Sequence, residues 1–369
     1  IKEEKEMDVK SLLCRTLREK PETMRASRKL GSLDFSRLVR MGLNENVFGM
    51  SPKAVEAMKD IAEAGNYYQD WTQKDLKSAI ADHYGVTFDN IVTGCGSSAL
   101  TDALGVAFLE PGDELLLCMP TFPAIIDTAQ TNGALPVILP LKEDLTFDLN
   151  GLLAAINEKT KMVYICNPNN PTGTYVGKSE LMEFAKSCPD HVIQVYDEAY
   201  IEFAEAPDCE EMVDAMKELK DKPIIVLKTF SKFYGMAGVR AGFILAQPEL
   251  IEWLSKCGTQ FALSKLAQAG AAAAMRDTEH GVYVKEKVAQ SRSYLQEELK
   301  KLGCKVYDSQ TNFIFFDPLV DPVELSMKMM EKGIMISAQA GASRVSVHTM
   351  EMCELFIRYL TEILQDLRK

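Results

Sequence analysis

What most constrains this chain is a run of seven short apolar segments, at residues 91–92, 114–119, 136–139, 162–166, 192–196, 224–227 and 242–246. A short apolar segment with little polar alternation reads as a strand buried on both faces. Several are followed or separated by helical stretches such as 98–108 and 178–187. Strands that alternate with helices predict an α/β domain: a mostly parallel, seven-stranded sheet flanked by helices. In open sheets of that kind a ligand sits beyond the carboxyl ends of the strands. The polar and glycine-rich residues after these segments are therefore where chemistry is to be sought.

The flanks follow another pattern. Residues 2–40 are helical and amphipathic in patches, and 1–45 are read as an N-terminal arm that partly packs with the small domain. Ser51 and Pro52 have the look of an N-cap and a first-turn proline, opening a helix to about residue 63. A second amphipathic helix, 73–84, is closed by Gly85. After about residue 271 the alternation stops. A long charged helix (278–302), strands near 312–316 and 344–347 and a final helix (351–368) predict a smaller α+β domain. The expected division is 46–275 for the large domain and 276–369 for the small one, which 369 residues can supply.

Composition removes several function classes. With 41 basic against 53 acidic residues the chain lacks the excess positive charge of a general nucleic-acid binder. Its nine cysteines are scattered and never form C-x-x-C, which argues against a disulfide framework or zinc site and for a reducing, cytoplasmic setting. The four histidines show no metal-ligand spacing, so no metal is expected. No apolar run reaches membrane-spanning length, and the charged residues 1–30 read as neither signal peptide nor anchor.

Three motifs follow three buried segments. In N-P-N-N-P-T-G (167–173) two prolines and a glycine make a rigid turn that fixes Asn170 as an amide donor; a purely structural turn is the other reading. In V-Y-D-E-A-Y (195–200) an apolar strand runs into Asp197. A buried carboxylate needs a partner, either a protonated pyridine nitrogen or a structural cation or cap. Tyr200 can offer its hydroxyl to the same ligand. In K-T-F-S-K-F-Y-G-M-A-G-V-R (228–240) Thr229, Ser231 and Arg240 suit a phosphate dianion, and Lys232 beside them suits imine formation with an aldehyde. Lys228 reads as an ordinary solvated lysine. A fourth element, T-G-C-G-S-S-A-L (93–100), is a glycine-rich turn into a helix whose amides, with Ser97 and Ser98, can hold an anion. Such turns are common, but the four together supply the phosphate, ring-nitrogen, phenolic-oxygen and aldehyde contacts of pyridoxal 5′-phosphate.

The order and spacing of these motifs resemble the fold-type-I pyridoxal-phosphate aminotransferases, most closely the histidinol-phosphate aminotransferase-like group. The resemblance runs from L-N-E-N (43–46) to R-V-S-V (344–347). It implies that Lys232 is the Schiff-base lysine, that Asp197 pairs with the pyridine nitrogen, and that Asn170 and Tyr200 bind the phenolic oxygen. It makes Gly96, Ser97, Ser98, Thr229, Ser231 and Arg240 the phosphate cup, and Phe122 of P-T-F (120–122) the ring-stacking aromatic. Arg344 then binds the substrate α-carboxylate, with Asn46 and Phe48 near the substrate. Tyr68 matches a tyrosine lent to the neighbouring subunit's phosphate site, which implies a homodimer with shared active sites.

Departures from the group's pattern bear on substrate. Phe48 stands where a tyrosine is usual after L-N-x-N. Ser337, in G-I-M-I-S-A-Q (333–339), stands where an arginine helps hold the substrate phosphate, and Ser264 replaces an asparagine. Each loss removes a polar handle, which favours a neutral aromatic or aliphatic amino donor, with a 2-oxo acid such as 2-oxoglutarate as acceptor, over histidinol phosphate. Delivery of Arg15, Arg18, Arg25 or Arg28 by the arm or a partner subunit stays open. So do decarboxylation or elimination with the same cofactor. A DNA-binding regulator built on this fold is disfavoured, because the first forty residues show no helix-turn-helix.

Overall fold

After a two-residue strand β1 (Val39–Arg40), the chain lays down the seven strands of one sheet: β2 (Ile91–Gly94), β3 (Glu114–Met119), β4 (Leu135–Pro140), β5 (Thr160–Cys166), β6 (Ile193–Asp197), β7 (Ile224–Thr229) and β8 (Gly242–Ala246). They coincide with the seven apolar segments. Their order is β2-β8-β7-β6-β5-β3-β4. Every residue of β6, β7 and β8 is buried, including the polar Gln194, Asp197, Lys228 and Thr229, whereas β4 is an edge strand that tolerates Pro136 and Pro140. Neighbours run parallel except β8, which is antiparallel to both β2 and β7. The cause is the connection 230–241, which holds no helix. A parallel return needs a crossover, whereas an antiparallel one does not.

The computed structural model describes residues 9–19, 37–258 and 262–369. Ser51 caps the helix Pro52–Ala62 by accepting from the main-chain N–H groups of Lys53 and Ala54, at 3.1 and 3.3 Å. Gly85, at φ +61°, ends the helix Lys74–Tyr84 in a left-handed cap. Helices absent from the sequence reading include Ala124–Thr131, Pro248–Cys257, Lys265–Arg276 and Pro322–Glu331. Of the arm, the helix Arg15–Glu19 lies against Ala124–Thr131. Arg25 and Arg28 fall outside the described residues.

The smaller domain contains the helix Thr278–Lys301, then β9 (Lys305–Val306), β10 (Phe313–Asp317), β11 (Ile334–Met335), β12 (Ser337–Gln339) and β13 (Ala342–Ser346), and the helix Met350–Leu367. β12, β13, β10 and β9 form an antiparallel sheet in that order, and β1 pairs in parallel with β11. One apolar core spans Ala54 to Met275. A second gathers Val284 to Leu364 together with Met41, Tyr200 and Phe203. Residues 39–46 thus run between the two cores, where the Ser346 N–H donates to the Met41 carbonyl at 2.7 Å. No helix of the described residues is long and apolar enough to cross a membrane.

Candidate active site

The carboxyl ends of β5, β6 and β7 and the turn after β2 converge on a cavity of about 380 Å³. Ser97, Ser98, Phe122, Asn170, Asp197 and Tyr200 line it, and so do Thr229, Ser231, Lys232, Arg240 and Arg344. These come from six separate stretches of sequence; the large sheet brings five of them together, and Arg344 comes from β13 of the small one.

One end of the cavity is built for an anion. Gly96, at φ +82°, turns the chain out of β2 so that the helix Ser97–Phe108 starts with its N-terminus toward the cavity. A Cβ on Gly96 would run into the Arg240 guanidinium, so only glycine lets that arginine lie over the turn. Arg240 Nη1 donates to the Ala237 carbonyl at 2.9 Å and to Ser231 Oγ at 3.4 Å, while Thr229 Oγ1 accepts from the Ser231 N–H at 3.1 Å. Hydroxyls, helix amides and a planar cation thus face one spot.

On the opposite side Asp197 is buried at the end of β6. Its oxygens meet neutral donors: the Tyr164 hydroxyl at 2.6 Å and the Ala199 N–H at 3.1 Å. No cation of the described residues forms an ion pair with it. Burial pushes its carboxyl above the ordinary range, against the pull of those two hydrogen bonds. A carboxylate so placed is short of one positive partner. Lys228, one residue before Thr229, corrects the reading of a solvated lysine. It points to the other side of β7, is fully buried, and sits 2.7 Å from Glu211, 3.0 Å from Glu202 and 3.4 Å from Glu198. It belongs to a structural ion cluster rather than to the cavity lining.

Lys232 opens on the cavity, with Nζ donating to the Leu43 carbonyl at 3.2 Å and lying 5.7 Å from the centre of the Tyr200 ring. Desolvation by the surrounding protein, followed by the charge of Arg344, lowers its amine to about 8. Near neutral pH an appreciable fraction is therefore the free amine, the form that attacks carbonyl carbon.

The N-P-N-N-P-T-G turn is rigid for reasons visible in its bonds. Asn167 accepts from the Val176 N–H at 2.7 Å, and Asn169 accepts from the Thr121 hydroxyl at 2.7 Å and donates to the Pro120 carbonyl at 3.0 Å. Asn170 Oδ1 accepts from Arg344, which turns its NH₂ toward the cavity as a donor. Arg344, buried in β13, also donates to the Gly42 carbonyl at 2.9 Å and lies 5.2 Å from the centre of the Phe313 ring. Gln339, with its amide oxygen toward Arg344, accepts from Nε at 3.3 Å and Nη1 at 3.1 Å. No carboxylate of the described residues pairs with Arg344, so its charge is free for an anionic ligand.

Asn46 and Phe48 do not line the cavity. The Asn46 amide donates to the Phe233 carbonyl at 2.7 Å and accepts from the Phe48 N–H at 3.0 Å, while the Phe48 ring meets Tyr283 edge-on. The members of L-N-E-N at the cavity are Leu43 and Asn44, and Asn44, which the sequence reading passed over, sits there in a left-handed conformation (φ +55°). Ser264 caps the helix Lys265–Arg276, and Ser337 lies across from Arg344 in the β12–β13 pair. Tyr68 is 80% exposed, between the exposed Tyr67 and Trp71. Tyr164, Thr121 and Gln339 were also missed, because nothing in their local sequence distinguishes them from ordinary strand and turn residues.

The group that this donor set fits has an aldehyde, a phosphate and a basic ring nitrogen, and no cluster of three metal-ligating side chains occurs among the described residues. Comparison with known proteins agrees. The model of the aminotransferase class I and II family matches residues 36–360. Histidinol-phosphate aminotransferase 2 of Carboxydothermus hydrogenoformans is 35% identical over 341 residues, 91% of this chain and 93% of that one. The aromatic amino acid aminotransferase of Corynebacterium glutamicum strain R is 34% identical over 86% of this chain and 91% of its own. The solved structure of histidinol-phosphate aminotransferase from Sinorhizobium meliloti in complex with pyridoxal 5′-phosphate superposes with a TM-score of 0.88 at 27% identity, covering 97% of this chain and 98% of that one. The chain therefore belongs to the aminotransferase class I and II family, within its histidinol-phosphate aminotransferase-like group, and is a pyridoxal-phosphate-dependent aminotransferase of fold type I.

Proposed function

We propose that this aminotransferase moves the amino group of an L-amino acid with a neutral aromatic or aliphatic side chain to a 2-oxo acid such as 2-oxoglutarate. The observation that carries the substrate reading is the neutral rim beside Arg344. Ser337 and Gln339 are the β12 residues next to it, and among the described residues only two arginines, Arg240 and Arg344, line the cavity. Arg240 faces the anion end, which leaves Arg344 for the α-carboxylate. A side-chain phosphate or second carboxylate then meets no further arginine of the described residues, and a buried unpaired charge costs about 3–5 kcal/mol, a hundredfold or more in affinity.

The roles we assign to the residues follow from their positions. Arg240, Ser231, Thr229, Ser97, Ser98 and the turn at Gly96 bind the cofactor phosphate. Phe122 covers the ring. Asp197 holds a proton at the ring nitrogen, and the Asn170 amide and Tyr200 hydroxyl donate to the ring oxygen. Bound pyridoxal phosphate supplies an electron sink for negative charge at the substrate α-carbon. Arg344 orients the substrate by its carboxylate, and Lys232 Nζ, as the free amine, removes the α-proton as general base. We further infer a homodimer, in which Tyr68 reaches the neighbouring phosphate site; the exposed Tyr67, Tyr68 and Trp71 support this.

The test is a panel of amino donors with 2-oxoglutarate, read as glutamate formed. Phenylalanine, leucine and methionine are expected to exceed histidinol phosphate in kcat/KM. Histidinol phosphate ahead by about tenfold would overturn the neutral-substrate reading and give the chain the activity named for its relatives.

A further inference from the structure

Asn44 is 1% exposed and takes no part in the roles above, yet its hydrogen bonds form a chain that ends at the cavity. We propose that Asn44 is a positioning residue that fixes the direction of the Tyr200 hydroxyl proton, so that Tyr200 donates into the cavity. This rests on the reading of Tyr200 as a donor to the ring oxygen.

The chain of hydrogen bonds begins at a main-chain donor and runs through Ser346 to the Asn44 side chain. The main-chain N–H of Asn44 donates to Ser346 Oγ at 2.8 Å. Ser346 Oγ accepts there, and its own proton goes to Asn44 Oδ1 at 3.0 Å. Oδ1 is thus the acceptor end of the side-chain amide in the structure, and Nδ2, which only donates, lies 3.1 Å from Tyr200 Oη. Tyr200 Oη therefore accepts from the protein, and its single proton must go elsewhere. The ring is buried, with its environment closed by an edge-on contact to Phe313 at 5.0 Å, and Tyr200 makes no other hydroxyl hydrogen bond among the described residues. The open side is the cavity that Tyr200 lines.

Two features hold Asn44 in place for this. Its φ of +55° is a left-handed conformation that asparagine adopts more readily than most residues. Its carbonyl also accepts from Asn312 Nδ2 at 3.2 Å. Ser346 and Asn312 both belong to the small domain, so that domain orients a donor of the large-domain site through one asparagine.

The experiment is an absorbance titration of the cofactor-loaded enzyme. A hydroxyl that donates to the ring oxygen stabilises its anionic form, so losing that donation raises the pH midpoint of the bound chromophore. Asn44→Asp places an acceptor where Nδ2 stands and turns the Tyr200 proton back into the protein. Its midpoint should rise by about one to two pH units, as in Tyr200→Phe, and adding Asn44→Asp to Tyr200→Phe should give a clearly smaller rise, that of the new carboxylate's charge alone. A general structural disturbance would shift both backgrounds equally. Should Asn44→Asp not fold, Asn44→Gly suits φ +55° and removes the amide; a smaller rise, absent with Tyr200→Phe, is expected. An unchanged midpoint in the Asn44 variants while Tyr200→Phe shifts overturns this inference alone. An unchanged midpoint in Tyr200→Phe overturns the role of Tyr200 as donor and this inference with it.

Discussion

At the scale of single residues, Lys232 and Asp197 are cavity groups whose ionisation the protein shifts in favour of the neutral form. The Lys232 amine is lowered to about 8. Its protonated fraction falls as pH rises through that value, so capture of pyridoxal phosphate by the apoenzyme should rise about tenfold per pH unit below 8 and level off above it. Stopped-flow recombination across pH 6 to 10, with borohydride trapping and peptide mapping, measures this. A rate that falls with pH, or an adduct on another lysine, rules the assignment out. No cation of the described residues forms an ion pair with Asp197, and its two neutral donors do not replace one. Asp197→Ala should lose a charged hydrogen bond of about 1.5–3 kcal/mol, roughly ten- to a hundredfold in cofactor affinity or turnover. If equilibrium binding and turnover both stay at wild-type values, Asp197 is only structural.

At the scale of elements, the connection from β7 to β8 packs Ser231, Lys232 and Arg240 into twelve residues, with Thr229 at the end of β7. Such a stretch is legible in sequence because all its chemistry is consecutive. The turn from β2 into the helix Ser97–Phe108 is the complementary half, and it works only without a side chain at Gly96. Gly96→Ala must hold φ +82° and displace Arg240. At φ +82° and ψ 166° the backbone cost alone is about 1–3 kcal/mol, and with Arg240 displaced the hold on the cofactor should weaken by roughly fivefold or more. Binding titration with pyridoxal phosphate and with pyridoxal separates the two ends of the site. The loss should appear with the phosphate ester and be nearly absent without it.

At the scale of the whole molecule, the cavity lies between two cores, and residues 39–46 tie them together through Met41, Gly42 and Asn44. Arg344 from the small domain thereby reaches Asn170 of the large one. Assembly adds a further level. Tyr68 sits on an exposed stretch, and if it completes a neighbouring site the active unit is a dimer. Sedimentation at assay concentration should find dimers, with Tyr68→Phe weakening cofactor binding severalfold and leaving assembly intact. Full activity in a sedimenting monomer removes this idea.

The residues alone determined the α/β class, the seven strands and the turns that carry Asn170, Asp197, Lys232 and Arg240. Burial on both faces writes itself into consecutive apolar residues, and turn chemistry into consecutive prolines and glycines. Short elements such as β11 and β12 left no such periodicity, so Gln339 beside Arg344 could not be seen. Tertiary structure alone decided that Lys228 is buried among glutamates, that Tyr164 serves Asp197, and that Asn44 rather than Asn46 meets the cavity. The Asn44 contacts join residues 156 and 302 positions apart. A side chain's direction and partners at such separations depend on how strands and domains pack, and no local pattern encodes them.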